Sequence, residues 1–312
     1  MANIKELSKI PERLTGGHRL CAGCGASIAV RQILMGTKDP IVAGAATGCL
    51  EVATTIYPYT AWNIPFIHNA FENVAATISG AETAYRALKK KGKIKKDIKF
   101  IAFGGDGGTY DIGLQSLSGA LERGHNFVYV CYDNGAYMNT GIQRSGATPR
   151  GASTTTAPAG TASYGKVQLR KDLTSIVASH NIPYAAQASI SHWNDLVTKS
   201  QKAFSVEGPA FINVLAICHR GWRSKPEETV SIAKLAVDTG FWPLIEVENG
   251  TWRFSFKPKE RKPVVEFLKT QGRFKHLFKE ENKPVLDQIQ KDIDANWHRL
   301  ERFVEAGCQV SA

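Results

Sequence analysis

Residues 98–134, "IKFIAFGGDGGTYDIGLQSLSGALERGHNFVYVCYDN", contain two apolar segments that end in glycines, carboxylates or an amide. The apolar segments, 98–103 and 127–132, have the length and composition of strands buried on both faces. Between them the pattern predicts a helix over 111–123, with Gly124 as its C-terminal cap. A strand, a helix and a second strand in this order predict neighbouring parallel strands of an α/β sheet.

The same alternation continues on both sides of this stretch. Further strand-like segments occur at 41–45 and 210–217, and a helical pattern covers 69–88. We therefore predict an α/β fold over residues 1–245, with a mostly parallel sheet and helices on both faces. Residues 246–312 are more charged, and we predict that they form a C-terminal helical arm that packs on this domain or on a partner subunit.

The overall composition is that of a globular protein. The chain has 312 residues, is 43% hydrophobic and carries a formal charge of +11. No apolar segment has the length of a membrane span and no signal-peptide pattern is present, so we expect a cytoplasmic protein without membrane contact. The densest basic run, 89–97, contains no aromatic residue. It therefore predicts a solvated loop rather than a nucleic-acid site.

Polar side chains follow the two central strands. Asp106 comes after the first strand within a run of glycines, and Asn134 comes directly after the second strand, 28 residues later. Since parallel strands end at the same edge of a sheet, we expect these side chains to lie close together. Carboxylate and amide oxygens suit Mg²⁺, and the glycines allow main-chain N–H groups to approach a diphosphate. The sequence predicts a magnesium and phosphate site.

The six cysteines do not imply disulfides in a reducing compartment. Cys21 and Cys24 form a CxxC pair, which is compatible with a metal or cluster hairpin, a redox pair or two small core residues. Taken alone, the pair also fits a structural zinc ion, which competes with the cluster interpretation. Cys131 lies in the middle of a strand and is expected to be a small buried side chain. Cys308 matches no motif and is expected to be an inert or surface thiol.

Longer segments resemble a known family. "GDGGTYDIGLQSLSGALERGHN" and "CYDNGAYMNTGIQRSGATP" are similar to the thiamine diphosphate-binding β subunit of the pyruvate:ferredoxin oxidoreductase family, part of the 2-oxoacid:ferredoxin oxidoreductases. "TGGHRLCAGCGASIAV", "ATGCLEV", "AWNIPFIHNAFENVAA", "EGPAFINV" and "TQGRFKHL" extend the resemblance over nearly the whole chain.

The resemblance implies three cofactors: thiamine diphosphate, Mg²⁺ and a [4Fe-4S] cluster. It implies Mg²⁺ ligation by Asp106, Asn134 and the main-chain carbonyl of Ala136, and a diphosphate cradle of Gly105, Gly107 and Gly108. Asn139 matches a position that faces the substrate, although a loop-capping amide is the alternative. The family's cluster cysteines match Cys21, Cys24, Cys49 and Cys218, and four thiolates suit such a cluster. His68 and Asn69 are candidates to line the thiamine pocket, with Glu51 and Glu72 as further pocket or support candidates.

The implied activity is oxidative decarboxylation of a small 2-oxoacid of the pyruvate class, with electrons passed through the cluster to ferredoxin. In the family an α subunit forms part of the substrate pocket, a partner subunit supplies the glutamate that activates the aminopyrimidine, and γ or δ components carry electrons onward. We therefore expect this chain to be inactive alone and to work in a hetero-oligomer, with coenzyme A as a co-substrate if pyruvate is oxidised.

Two departures from the family pattern concern charge. Gly135 stands where pyruvate-type relatives usually have glutamate, and His219 and Arg220 stand within a segment that is usually "PCPTGW". The change in charge favours a more anionic substrate, so oxalate is the main alternative. A non-redox thiamine enzyme and a zinc-stabilised basic nucleic-acid-binding protein are weaker alternatives, because neither explains both the cysteines and the strand-end residues.

Overall fold

The structure, a computed structural model, describes residues 3–307. Within this range the strands form an eight-stranded sheet in the spatial order β2-β1-β3-β4-β6-β5-β7-β8. The strands are β1 Ile41–Ala46, β2 Phe66–Asn69, β3 Lys99–Gly105, β4 Val128–Asp133, β5 Tyr184–Ser189, β6 Ala210–Leu215, β7 Leu244–Glu248 and β8 Thr251–Phe256. The first six are parallel, whereas β7 runs antiparallel to β5 and β8 antiparallel to β7.

Helices connect and cover the strands. The α-helices are α1 Ile4–Leu7, α2 Gly25–Leu34, α3 Cys49–Thr54, α4 Val74–Lys90, α5 Leu114–Glu122, α6 Leu173–Ala178, α7 Trp193–Ser205, α8 His219–Trp222, α9 Thr229–Asp238, α10 Val264–Leu268 and α11 Lys283–Glu305. A π-helical turn spans Gly107–Ile112, and 3₁₀ turns span Pro226–Glu228, Gly272–Phe278 and Glu280–Asn282. None of the helices in the described range is long and apolar enough to cross a membrane.

Two apolar layers enclose the sheet. Along β3, Phe103 belongs to one layer and the neighbouring Ala102 to the other, and the same alternation places Val130 and Tyr129 of β4 on opposite faces. Strands buried on both faces need apolar residues at every position, which explains the continuous apolar runs in the sequence. The predicted α/β fold with helices on both faces is confirmed.

Some predicted element boundaries are wrong. The helix predicted from residue 69 begins at Val74, because Asn69 is the last residue of β2 and pairs with Ala46 of β1. The helix predicted from residue 111 is preceded by the π-helical turn that starts at Gly107. The domain boundary predicted at residue 245 falls inside β7, and β8 extends the same sheet. The sheet therefore reaches Phe256 before the C-terminal arm begins.

The C-terminal arm packs on the rest of this chain. In α11, Leu300 is buried in the apolar layer that contains Tyr129, and the Trp297 ring lies 4.9 Å from the Phe254 ring of β8. A contact of the arm with a partner subunit stays a prediction. Cys308 lies outside the described residues, and so does the prediction made for it.

The topology places a crevice at the carboxyl ends of β1 and β3. The chain leaves β1 for its outer neighbour β2 and then returns to β3 on the other side of β1. In open α/β sheets such a switch point is where ligands bind. The basic run 89–97 precedes the amino end of β3, so it lies at the opposite edge of the sheet.

Candidate cofactor and cluster site

Asp106 is the residue that directly follows β3, and its side chain is fully buried. One carboxylate oxygen accepts a hydrogen bond from the main-chain N–H of Asn134 at 3.1 Å, and the other accepts from Ser145 Oγ at 2.5 Å. Burial, and secondarily the charge of Asp133, raise the pKa of Asp106 to about 8. A buried carboxylate in this position favours a bound cation, because a cation offsets the cost of desolvating the charge.

Oxygen atoms converge next to Asp106. The end of the Asn134 amide that carries Oδ1 lies 2.9 Å from the main-chain oxygen of Ala136 and 2.9 Å from Asp106 Oδ1. Rotation of the amide would instead place its N–H₂ group against both acceptors. Carboxylate, amide and main-chain oxygens in one place are a ligand set for Mg²⁺. The residues predicted to bind Mg²⁺ are therefore brought together, and their chemistry fits this ion.

A loop that sequence patterns did not assign to the site supports Asp106. Ser145 belongs to the long glycine- and threonine-rich segment after β4, and Lys166 of the same segment is 2% exposed. Its ammonium donates to the main-chain oxygens of Ser145 and Gly146, both at 3.2 Å, and of Thr148 at 2.6 Å. Burial lowers the pKa of Lys166 to about 8. Lys166 thus fixes the loop that presents Ser145 to the carboxylate.

The other side of the Asn134 turn is held by aromatic and charged side chains. The indole N–H of Trp222 in α8 donates to the main-chain oxygen of Asn134 at 2.6 Å. The Arg273 guanidinium lies 3.9 Å from the Trp222 ring centre, and burial lowers the pKa of this arginine to about 9. Buried Asp133 accepts from Arg170 at 2.7 Å. These contacts restrict the position of Asn134.

A small cavity lies in front of the Asp106 loop. The predicted residues that line it are Gly105, Gly107, Gly108, Asn134, Ala136, Asn139 and Cys49. Asn139 is exposed at its rim, which suits a group that meets a second reactant. The cavity measures about 30 Å³, far below the roughly 300 Å³ of a typical cofactor site. The cavity within this chain is therefore too small to enclose such a cofactor.

The other pocket candidates have different surroundings. The side chain of His68 is 65% exposed, and its Nδ1 contacts a carboxylate oxygen of the buried Glu51 of α3. The Asn69 amide donates to the main-chain oxygen of Ile67 at 2.9 Å, which is a structural role at the end of β2. Glu72 is exposed. The roles predicted for His68, Glu51 and Glu72 stay predictions.

The predicted cluster cysteines come from three separate parts of the chain. Cys21 and Cys24 precede α2, Cys49 opens α3, and Cys218 directly precedes α8. Gly25 donates its N–H to the main-chain oxygen of Ile217 at 3.0 Å, and a Cβ at Gly25 would lie 2.5 Å from Ile217 N. Because only glycine allows this approach, it brings the CxxC loop against the segment that carries Cys218.

The thiols influence one another electrostatically. Burial, and secondarily the thiols of Cys218, Cys24 and Cys21, raise the pKa of Cys49 to about 12. Burial also raises the pKa of Cys24 and of Cys218. Within residues 3–307, no three His, Cys, Asp or Glu side chains converge as a preformed site for one metal ion. Four mutually repelling thiolates need positive charge among them, which iron supplies.

The two charged substrate candidates do not line the cavity. Arg220 is exposed on α8, whereas His219 is buried. The fifth cysteine in the described range, Cys131, is fully buried in β4, as predicted for a small core side chain. Burial raises its pKa well above the ordinary value.

Comparisons with known proteins identify the family. Residues 46–214 match the family described as "Thiamine pyrophosphate enzyme, C-terminal TPP binding domain". The chain is 57% identical over 309 residues to "Pyruvate synthase subunit PorB" of Thermotoga maritima, with 96% of this chain and 95% of the relative covered. The chain belongs to the 2-oxoacid:ferredoxin oxidoreductase family. The resemblance found in the sequence is thereby confirmed.

Other relatives of this 2-oxoacid:ferredoxin oxidoreductase chain are also named as oxidoreductase or synthase subunits. It is 55% identical to "Pyruvate synthase subunit PorB" of Methanocaldococcus jannaschii, with 91% of this chain and 94% of the relative covered. It is 44% identical to "Ketoisovalerate oxidoreductase subunit VorB" of Pyrococcus furiosus, with 97% of each covered. The chain is thus an oxidoreductase β subunit that acts on 2-oxoacids and binds thiamine diphosphate, and the oxalate alternative is not favoured.

A solved 2-oxoacid:ferredoxin oxidoreductase has the same fold. The structure titled "2-oxoglutarate:ferredoxin oxidoreductase from Magnetococcus marinus with 2-oxoglutarate, coenzyme A and succinyl-CoA bound" superposes with a TM-score of 0.55. It covers 75% of this chain and 81% of that chain at 19% identity, so the similarity concerns the fold alone.

Proposed function

We propose that this β subunit holds thiamine diphosphate through Mg²⁺, carries one [4Fe-4S] cluster, and takes part in oxidising pyruvate with ferredoxin as electron acceptor. The observation that carries the proposal is the position of two ligand sets on one sheet edge. Asp106 and Asn134 end β3 and β4, while Cys49 lines the same cavity and lies within electrostatic reach of the other three cysteines.

For Mg²⁺, the ligands are Asp106, Asn134 and the main-chain oxygen of Ala136. The separations of 2.9 Å between the Asn134 amide and the two other oxygens support this assignment. Gly105, Gly107 and Gly108 line the cavity without side chains, so a diphosphate can approach the main chain there. Ser145 and Trp222 keep the ligand loops in place before the ion binds.

For the cluster, the ligands are Cys21, Cys24, Cys49 and Cys218. In a [4Fe-4S] cluster each thiolate binds a different iron atom, so the four sulfurs surround a group rather than a single ion. The main-chain N–H of Gly221 lies 3.4 Å from Cys218 Sγ and can stabilise its thiolate. The proposed location is the cytoplasm, where thiols stay reduced and available to iron.

When bound, thiamine diphosphate supplies the carbanion chemistry that removes CO₂ from a 2-oxoacid. This chain's residues position the groups around that reaction. Asp106 and Asn134 fix the diphosphate end through Mg²⁺, and the amide of Asn139 at the cavity rim can donate a hydrogen bond to the substrate carboxylate. Cys218 and Trp222 belong to one short segment, which ties the cluster side of the site to the Asn134 turn.

Pyruvate is the proposed substrate because several of the curated relatives carry the name pyruvate synthase. The charge argument for oxalate depended on Gly135, His219 and Arg220 lying near the substrate. The exposed position of Arg220 outside the cavity gives that argument no geometric support. If pyruvate is the substrate, coenzyme A is the proposed acceptor of the two-carbon product.

Partner subunits are required because the cavity of about 30 Å³ cannot enclose the cofactor. An α subunit is proposed to provide the opposite wall and the catalytic glutamate, and γ or δ subunits are proposed to lead electrons to ferredoxin. This chain alone is therefore expected to be inactive. The basic run 89–97 lies at the opposite sheet edge, so it is not proposed as the electron exit from this cluster.

The proposal is tested on the complex purified without oxygen. We expect thiamine diphosphate, magnesium, iron and sulfide to copurify, and ferredoxin to be reduced when pyruvate and coenzyme A are present. Oxalate should support no reduction. Zinc in place of iron, or reduction with oxalate but not pyruvate, would contradict the proposal.

A further inference from the structure

Tyr132, the penultimate residue of β4, has a buried side chain with 2% exposure. Its hydroxyl has no hydrogen-bond partner among residues 3–307. Leaving a buried hydroxyl unbonded costs roughly 1–3 kcal/mol, and such groups are uncommon in native proteins. The neighbouring Asp106 already accepts hydrogen bonds from Asn134 and Ser145, so the isolated hydroxyl of Tyr132 indicates a ligand atom that these residues do not supply.

The position of the Tyr132 hydroxyl indicates which segment of the site it lies against. A Cβ at Gly48 would lie 2.8 Å from Tyr132 Oη, whereas a Cβ at Gly105 would lie 3.4 Å from it. The hydroxyl is therefore closer to the segment that leads into Cys49 than to the diphosphate loop. Tyr132 and Cys49 also line the same cavity.

The phenol hydroxyl of a tyrosine has one hydrogen bond to donate. A cluster-bound Cys49 would offer an anionic sulfur as the acceptor.

We propose that the Tyr132 hydroxyl donates a hydrogen bond to the Cys49 sulfur when the [4Fe-4S] cluster is bound, and thereby raises the reduction potential of that cluster. The inference rests on the proposed function, which places the cluster on Cys49. Hydrogen bonds to the ligand sulfurs favour the reduced, more negative cluster. Tyr132 is thus a positioning residue that acts through Cys49. No covalent bond forms or breaks, and no proton is transferred.

The test is Tyr132→Phe in the complete complex, since this change removes only an oxygen that has no partner among the described residues. The readout is the midpoint potential of each cluster, followed by electron paramagnetic resonance in a redox titration. We expect one midpoint to become more negative, with about a tenfold change in the ratio of oxidised to reduced cluster. For a one-electron couple this is about 59 mV. Iron and thiamine diphosphate contents should remain those of the wild type.

The chain offers a matched control. Tyr184 of β5 is fully buried and its hydroxyl also has no partner in the described part of the chain, but its charged neighbours are Glu246 and Asp195 rather than cysteines. Tyr184→Phe should leave every midpoint unchanged. As a second variant, Gly48→Ala should displace the Tyr132 hydroxyl and shift the same midpoint in the same direction, because the added carbon would be too close to it.

The outcomes separate the inference from the proposed function. A Tyr132→Phe complex with full iron content and wild-type midpoints would overturn the inference. Unchanged midpoints with weaker thiamine diphosphate binding would assign the hydroxyl to the organic cofactor, and would also overturn it. Equal iron contents in the wild-type and Cys49→Ser complexes would instead contradict the proposed function, and the inference would fail with it.

Discussion

The Asp106 loop and the four candidate cluster cysteines lie at the same sheet edge, yet the protein holds them in different ways. Asp106 is fully buried and accepts hydrogen bonds from Ser145 and Asn134. The cysteines come from separate segments, and their exposure varies from an exposed Cys21 to a half-buried Cys49. Hard oxygen ligands can be fixed by hydrogen bonds before a cation arrives, whereas thiols are weak hydrogen-bonding groups and depend on their metal.

This difference predicts that the two sites can be lost separately. The largest effect is expected for Asp106→Asn, which removes the anionic Mg²⁺ ligand. Thiamine diphosphate should be lost and activity should fall by at least about a thousandfold, because several kcal/mol of charge stabilisation disappear. Iron should be retained. The control Asp238→Asn alters an acid of α9 that pairs with Lys234, and it should leave both cofactors bound. Loss of iron together with thiamine diphosphate in Asp106→Asn would show that the sites are not separable.

The reciprocal change is Cys49→Ser, which should remove the cluster and keep thiamine diphosphate. Ferredoxin reduction should fall by about a hundredfold or more, since a first ligand matters at least as much as its supporting contacts. Iron, sulfide and thiamine diphosphate contents measure the result. Cys131→Ala is the control, because Cys131 is fully buried within β4, and its iron content should equal that of the wild type.

The raised pKa of Asp106 predicts a pH dependence for magnesium binding at the oxygen site. In the metal-free protein Asp106 has a pKa of about 8, so it is mostly protonated at pH 6 and must lose this proton to bind Mg²⁺. Magnesium affinity should therefore rise by up to about tenfold per pH unit between pH 6 and 8 and level off above. Titration of Mg²⁺-dependent thiamine diphosphate binding checks this. The control His298→Ala changes an exposed histidine of α11 and should keep the profile, and a flat profile in the wild type would contradict the assignment to Asp106.

The smallest effect concerns the segment that joins the two sites. Trp222→Phe removes the 2.6 Å hydrogen bond to the Asn134 main chain and keeps an aromatic ring beneath Arg273. Magnesium affinity should weaken by about tenfold, as expected for a supporting contact, while iron is retained. Trp297→Phe removes another indole hydrogen bond, in α11, and should leave magnesium affinity unchanged. Equal effects of both variants would mean that the Trp222 contact serves stability alone.

The sequence predicted the positions of site residues correctly where they follow directly from the local strand pattern. Asp106 and Asn134 follow apolar strands directly, so strand order alone brings them together. Ser145 and Lys166 could not be found in this way, because they belong to a segment without helical or strand periodicity whose path depends on tertiary contacts. Arg220 is a residue that the sequence pattern suggested for the site but the structure leaves outside it. It lies in the four-residue helix α8, where its side chain is exposed and does not line the cavity.

The central claim, that this chain carries the cluster on its own four cysteines, is tested most directly by iron and sulfide content in matched complexes. The wild-type complex and the Cys49→Ser complex differ at one ligand, so clusters in other subunits cancel in the comparison. We predict that the variant loses about four iron atoms and about four sulfides for each copy of this chain. Identical iron and sulfide contents in the two complexes would contradict the claim.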